Sequence, residues 1–295
     1  MTLSNDYSIV PGFFLHDLHH PVPEPSIALP NHFGLLDNST NRWANFKHKF
    51  DSLIESAPVG TQYKLVVIGR HGEGWHNVAD TKYGEEWGKK WGMLNGDGTL
   101  VWGPDAELSP VGIDQARAAN ALWKREIAVG MPLPTQLYSS PFVRAAKTCK
   151  VTFDDLLIAN GKVKPLIIEM LRELMGVYTC DQRGTLSKLR KEYPEFEIEH
   201  GFVEEDVLWK ADYRETWEEN AARQKLAFDT IFDEKNKHHR YVSLTSHSGV
   251  IRATLLMLGR EMFLIPIGGV VAFVVKSTPR SKDPQQLELV LQSGL

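Results

Sequence analysis

Apolar residues along the chain follow two alternating patterns, short β-branched runs and longer stretches with a helical period. Residues 63–68 (YKLVVI) form a continuous apolar run that ends at a glycine, which is typical of a buried strand. Further strands are predicted at residues 137–140, 163–169, 241–245, 270–276 and 287–291. Helices are predicted at residues 40–56, 110–129, 142–158, 186–193, 217–234 and 249–258. Strands that alternate with helices predict an α/β protein with helices on both faces of one sheet.

The N-terminal part differs from the rest of the chain. Residues 1–30 are rich in proline and histidine and are expected to be irregular. The helix at 40–56 carries Trp43, Phe46 and Phe50 on one face, so it has an apolar stripe to bury. We therefore predict an N-terminal extension, residues 1–60, with one helix packing on the core, and a single α/β domain over residues 61–295.

Composition and charge limit the kinds of molecule that the protein is expected to bind. The 295 residues include 33 Lys and Arg against 37 Asp and Glu, a formal net charge of -4, so no global charge favours nucleic acid or an anionic membrane. No stretch of about 18 apolar residues predicts a membrane span. Cys149 and Cys180 form no metal-binding or disulfide pattern and are expected to be reduced thiols. With no signal-peptide pattern at the start, the expected compartment is the cytoplasm, and the nucleus stays open as a second one.

Ionisable side chains follow four of the predicted strands. Arg70 and His71 come directly after the first, Arg144 shortly after the second, Glu173 after the third, and His247 after the fourth. In open α/β sheets, ligands bind beyond the carboxyl ends of the strands. We therefore expect these five side chains to gather at one edge of the sheet.

This set of side chains suits chemistry at phosphorus. Arginine offers a planar, permanently charged fork that matches phosphate bidentately. A neutral imidazole can attack phosphorus and hold the group covalently, and neighbouring arginines favour the neutral form. A glutamate with a raised pKa can give a proton to the leaving oxygen. The sequence thus predicts phosphoryl transfer to a histidine.

Four motifs, in this order along the chain, carry a family resemblance. They are RHGE at 70–73, LSPVGIDQA at 108–116, SSPFVRAAKT at 139–148 and SHSG at 246–249. Together they resemble the histidine phosphatase (phosphoglycerate mutase-like) superfamily over about residues 63–255, most closely its fungal phosphomutase-like branch. The resemblance implies a three-layer αβα sandwich with a mainly parallel central sheet, which would be the catalytic domain.

The resemblance also implies a role for each matching position. His71 would be the nucleophile that becomes phosphorylated, with His247 as a second catalytic histidine. Arg70 and Arg144 would bind the phosphate together with His247. Glu173 would be the proton donor.

Some assignments stay open at this point. Asn77 would lie at the rim of the phosphate pocket. Asp181 and Glu169 lie close to Glu173 in sequence and remain alternative proton donors. No metal ion and no organic cofactor is implied, and the sequence does not fix the oligomeric state.

The predicted function is hydrolysis of a small phosphomonoester through a phosphohistidine intermediate. No nucleic acid and no membrane is expected as a partner. Two alternatives remain, a phosphomutase of the phosphoglycerate mutase type and a non-catalytic module that binds phosphorylated ligands. The mutase pattern after the nucleophile is absent, since the chain continues as EGWHN at 73–77. The sequence also shows no pair of arginines that would bind the carboxylate of a phosphoglycerate. These departures favour the phosphatase.

Overall fold

The computed structural model describes residues 5–17 and 27–279. The strand predicted at 287–291 lies outside these residues. One seven-stranded sheet organises the described part of the chain. Its strands are β1 (Asn5–Ile9), β2 (Gln62–Arg70), β3 (Gln136–Ser139), β4 (Leu166–Ile167), β5 (Glu197–Ile198), β6 (Tyr241–Ser246) and β7 (Val270–Pro279).

The sheet is mainly parallel, as the family resemblance implies. The strand order is β1-β7-β2-β6-β3-β4-β5. The pairs β2–β6, β6–β3, β3–β4 and β4–β5 are parallel, whereas β7 and β1 run antiparallel at one edge. The carboxyl ends of β2, β6, β3 and β4 therefore lie side by side.

Helices cover both faces of this sheet. They are α1 (Arg42–Glu55), α2 (Trp75–Tyr83), α3 (Glu85–Lys89), α4 (Pro110–Ala128), α5 (Val143–Phe153), α6 (Leu186–Glu192), α7 (Trp217–Ile231) and α8 (Ser248–Met257). Because side chains alternate along a strand, β2 sends Leu65 and Val67 to the core formed with α1, α4 and α5. It sends Val66 and Ile68 to the core formed with α7 and α8. The predicted three-layer αβα sandwich is confirmed.

Two predictions about local structure were wrong. The first residues are not irregular throughout, because β1 pairs with β7 and the Tyr7 hydroxyl donates to Asp229 at 2.7 Å. The strand predicted at 163–169 pairs only at Leu166–Ile167, since the chain enters a 3-10 turn at Glu169–Leu171. The division of the chain at residue 60 stays a prediction.

The segment between α2 and α4 folds over its own small core. Trp87 and Trp102 are buried there beside Ala79, Ala106 and Cys180. The rings of Trp87 and Trp102 pack edge to face in this core, which is separate from the two sheet cores. Within residues 5–17 and 27–279, no helix combines the length and the apolar character that a membrane span requires.

Candidate active site

His71 occupies the first position after β2 and is 2% exposed. Its backbone N–H donates to the carbonyl of Ser246 at 2.9 Å, which ties the end of β2 to the end of β6. The ring Nδ1 lies 2.7 Å from the carbonyl oxygen of Gly72. A carbonyl can only accept, so Nδ1 carries the proton and Nε2 keeps a free lone pair. Burial, with Arg144 and Arg70 nearby, lowers the pKa of His71 well below its ordinary value and keeps the ring neutral.

Two guanidinium groups lie near this imidazole. Arg144, on the first turn of α5, is fully buried and donates to the Cys180 carbonyl at 2.7 Å. Arg70 donates to the Ile265 carbonyl at 2.8 Å. In both side chains Nε has no partner among the described residues, so each retains a buried donor for a ligand.

His247 follows β6 and is fully buried behind His71, with the two ring centroids 5.0 Å apart. Its Nε2 lies 2.7 Å from the hydroxyl of Ser140, which follows β3. Its Nδ1 has no partner among the described residues. Burial and the charge of Arg144 lower the pKa of His247 well below its ordinary value. We refer to Arg70, His71, Arg144 and His247 as the basic cluster.

The loop after His71 is locked to the start of α4. Gly72 and Gly112 lie in backbone contact, where an added Cβ on Gly72 would stand 2.2 Å from the Gly112 carbonyl oxygen. Ser109 caps α4 through the Gly112 N–H and donates its hydroxyl proton to Glu73 at 2.6 Å. The Gln115 side chain accepts from the Glu73 N–H at 2.7 Å. The LSPVGIDQA motif thus fixes the backbone that carries His71.

Buried polar groups also fix the first turn of α5. The carboxylate of Asp105 accepts from the Val143 N–H at 3.0 Å, directly before Arg144. The Thr148 hydroxyl donates to the Arg144 carbonyl at 2.7 Å and accepts from the Gly72 N–H at 3.1 Å. The helix that carries Arg144 is therefore tied to the loop that carries His71.

Glu173 brings a carboxylate to the same place. It accepts from the Leu174 N–H at 2.9 Å and from the Gly249 N–H at 3.3 Å, at the N-terminus of α8. Burial and the neighbouring Asp181 raise the pKa of Glu173, and Arg144 works against this rise. The contact requires a glycine at 249, because an added Cβ would stand 2.0 Å from Glu173 Oε1.

The two other carboxylates considered from the sequence are held by arginines. Glu169 is paired with Arg172 at 3.0 Å and with Arg183 at 2.9 Å. Asp181 is paired with Arg214 at 2.7 Å, and its second oxygen lies 3.4 Å from Arg144. Burial raises the pKa of Glu169 as it does that of Glu173, so the difference lies in the partners. Arginines engage the oxygens of Glu169 and Asp181, whereas those of Glu173 accept from backbone N–H groups.

These groups face a cleft of about 610 Å³. Arg70, His71, Asn77, Arg144 and Glu173 line it, so five of the six residues predicted from sequence share one cavity, and His247 lies behind His71. A second group of lining residues is aromatic or basic and comes from other segments. We call it the outer wall, and it comprises Trp87, Tyr178, Arg214, Trp217 and Arg252. In the part of the chain that the structure describes, no three His, Cys, Asp or Glu side chains are grouped to hold a metal ion.

Comparison with known proteins decides the family. The model of the histidine phosphatase superfamily (branch 1) matches residues 66–263. The chain belongs to the histidine phosphatase superfamily. A probable phosphoglycerate mutase from Arthroderma benhamiae is 35% identical, with 98% of this chain and 90% of that protein covered. A probable phosphoglycerate mutase, PMU1, from Saccharomyces cerevisiae is also 35% identical, with 81% of this chain and 89% of that protein covered.

Among solved structures, the chain is similar to the ecdysone phosphate phosphatase from Bombix mori. The two sequences are 19% identical, and the TM-score is 0.47. The match covers 71% of this chain and 88% of that one.

Sequence reasoning missed several residues of this histidine phosphatase site. The ring of His76 lies 5.3 Å from that of His71 and lines the cleft, although its spacing in the sequence suggested no role. Arg214 comes from a long connection with no motif. Arg252 had a usable signal, because it lies four residues beyond Ser248 and therefore on the same face of α8.

Asn77 has a second task besides lining the cleft. Its side-chain oxygen accepts from the Gly74 N–H at 3.0 Å, at the start of α2. That bond closes the first turn of the helix that also carries His76. A role at the rim of the phosphate site stays a prediction for Asn77.

Proposed function

We propose that this member of the superfamily is a phosphatase that hydrolyses a phosphomonoester through a phosphohistidine at His71. Nε2 of His71 attacks phosphorus, the N–P bond forms and the bond from phosphorus to the leaving oxygen breaks. Glu173 gives its proton to the leaving oxygen. Water then attacks phosphorus, the N–P bond breaks, and Glu173 takes up a proton as inorganic phosphate leaves.

One observation carries the proposal, the free Nε2 of a neutral, buried imidazole beside two guanidinium groups. The bond from Nδ1 to Gly72 fixes the ring and its tautomer, so the nucleophile needs no reorganisation. Arg70 and Arg144 each retain an unpartnered Nε that is available to phosphate oxygens. Phosphoryl transfer depends mainly on such positioning and charge stabilisation.

The surroundings of the three carboxylates support Glu173 as the proton donor. Its two oxygens accept from backbone N–H groups, whereas Glu169 and Asp181 are held in ion pairs with arginines. Burial and Asp181 raise the pKa of Glu173, which favours its acid form. The bond to the Gly249 N–H also stabilises the carboxylate formed after transfer.

A mutase is the second candidate, and the names of the relatives favour it. Both fungal proteins are named probable phosphoglycerate mutases. A mutase would have to keep the phosphohistidine from water while the intermediate rebinds. The cleft is open to solvent, which favours hydrolysis. Free phosphate without an isomerised product separates the two activities.

The test is a phosphate-release assay over phosphoglycerates, sugar phosphates, nucleotides and inositol phosphates. We expect His71→Ala to lower turnover of every substrate by at least about a thousandfold, because the variant lacks the imidazole that accepts the phosphoryl group. His48→Ala, which removes an exposed imidazole from α1, is the matched control and should leave turnover unchanged. Turnover retained in His71→Ala would exclude the proposal.

A further inference from the structure

Four arginines line the cleft, and their protein partners differ. Arg70 and Arg144 donate to the backbone carbonyls of Ile265 and Cys180, respectively. Arg214 donates to two carbonyls and is paired with Asp181 at 2.7 Å. Arg252 makes no hydrogen bond and no ion pair with the described residues, and its Nε is buried. It is therefore the cleft arginine whose charge no protein acceptor offsets in the described part of the chain.

The position of Arg252 is nevertheless fixed. It lies in α8, four residues or about 6 Å of helix axis beyond Ser248, which follows His247. Its guanidinium carbon stands 4.3 Å from the ring centroid of Trp217, the first residue of α7. A cation over an aromatic face is held in place but keeps its charge and its donors.

Five carboxylates line the cleft, Asp80 and Glu218 among them, and no hydrogen bond or ion pair within the described residues joins any of the five to Arg252. Asp181 is paired with Arg214, and Glu215 is paired with Arg223 at 2.6 Å. Glu173 accepts from backbone N–H groups. Because a buried donor without a partner costs free energy, a guanidinium in this state favours an acceptor supplied by a ligand.

We propose that Arg252 and Trp217 form a second anion-binding subsite, which receives another negatively charged group on the same substrate. The substrate class is then a phosphomonoester whose leaving group carries a carboxylate or a second phosphate. This inference rests on the proposed function, since the basic cluster takes the reacting phosphoryl group and Arg252 binds the far end of the leaving group. The planar fork of arginine suits either anion bidentately.

Two matched pairs of ligands test the subsite. 3-Phosphoglycerate and glycerol 3-phosphate differ by a carboxylate in place of a neutral group. Fructose 1,6-bisphosphate and fructose 6-phosphate differ by one phosphate. Calorimetry on the His71→Ala protein, which cannot turn the ligands over, gives the Kd ratio within each pair, and turnover by the unmodified chain gives the kcat/KM ratio.

We expect the doubly anionic member of at least one pair to bind about tenfold more tightly than its partner. Arg252→Gln should bring that ratio close to one and leave binding of the singly phosphorylated member within about threefold. Trp217→Leu should lower the ratio partly, because Arg252 keeps its charge but loses the aromatic ring that holds its guanidinium group in place. Arg190→Gln removes an exposed guanidinium of α6 outside the cleft and should change nothing. The pair whose Kd ratio falls in Arg252→Gln shows whether the subsite binds a carboxylate or a second phosphate.

Three results would overturn the subsite. One is a ratio near one in both pairs before any substitution at Arg252. A second is a ratio that Arg252→Gln leaves intact. The third is an equal loss of affinity for both members of a pair in Arg252→Gln, which would mean that Arg252 contacts the reacting phosphoryl group itself. Failure of the proposed function gives a different result. In that case no substrate is turned over, whereas the Kd ratios measured by calorimetry still differ from one.

Discussion

The basic cluster and the outer wall face the same cleft but are built by different physical means. The basic cluster stands at the ends of β2 and β6 and on the first turn of α5, and backbone hydrogen bonds between these elements fix it. The outer wall comes from α3, from the loops that carry Tyr178 and Arg214, from the first residue of α7 and from one residue of α8. The groups of the proposed reaction thus stand at or just beyond strand ends, whereas helices and loops outside the sheet supply the outer wall.

The comparison predicts that changes at the cluster lower kcat for every substrate, whereas changes at the wall alter the choice among substrates. Arg252 belongs to the wall although it shares α8 with Gly249, one turn away, which touches Glu173. The following substitutions test whether the boundary between the two regions lies between Gly249 and Arg252.

Among these substitutions, the largest effect is expected at Glu173. Glu173→Gln keeps the shape of the side chain but removes the transferable proton, so turnover of an alkyl phosphate should fall by about a hundredfold to ten-thousandfold. With p-nitrophenyl phosphate, whose leaving group needs no proton, the rate of the first step should fall much less. Glu55→Gln, at the exposed end of α1, is the matched control.

The pH profile gives a second measurement on the same variant. Because the pKa of Glu173 is raised, its acid form persists to higher pH, and kcat/KM should fall as pH rises through that pKa. Because the pKa of His71 is lowered, the neutral nucleophile persists as pH falls. Glu173→Gln should lack the alkaline limb, and an unchanged limb would assign the proton to another group.

A smaller effect is expected at Gly249. The methyl group of Gly249→Ala would stand 2.0 Å from Glu173 Oε1 and 1.9 Å from Leu174 Cδ1, so the carboxylate has to move. A displacement of about 1 Å at a catalytic group is enough to lower kcat about a hundredfold. We expect that loss for all substrates, with the ratio between singly and doubly anionic substrates preserved.

Gly88→Ala is the control for this substitution, since its added methyl would meet only the Tyr178 hydroxyl at 3.4 Å. Thermal melts of both variants separate a local displacement from a loss of folding. A Gly249→Ala protein with full kcat would show that the carboxylate of Glu173 need not lie where the structure holds it.

Sequence patterns predicted the parts of the molecule that depend on local rules. The apolar run of β2 ends beside His71, and Pro141 precedes the turn that carries Arg144, so strand ends located most of the basic cluster. The helical period at residues 110–129 likewise located α4 (Pro110–Ala128) to within one residue. Such features follow from neighbouring residues and the topology of a parallel sheet.

The parts that sequence missed depend on contacts between distant segments. Asn5–Ile9 has little apolar character and becomes a strand because β7 offers an edge about 270 residues later. Arg214 reaches the cleft through carbonyls of Leu174 and Gly176, some 40 residues away. Nothing in the local sequence around Arg214 indicates these contacts.

The most direct test is to look for the phosphoryl group on the enzyme. The Glu173→Gln protein, given p-nitrophenyl phosphate, should form the phosphohistidine readily and hydrolyse it slowly. After rapid quenching at alkaline pH, where an N–P bond survives, mass spectrometry should find phosphate on His71 and on no other residue. Phosphate released with His71 unmodified at every quench time, or a label on another side chain, would contradict the account.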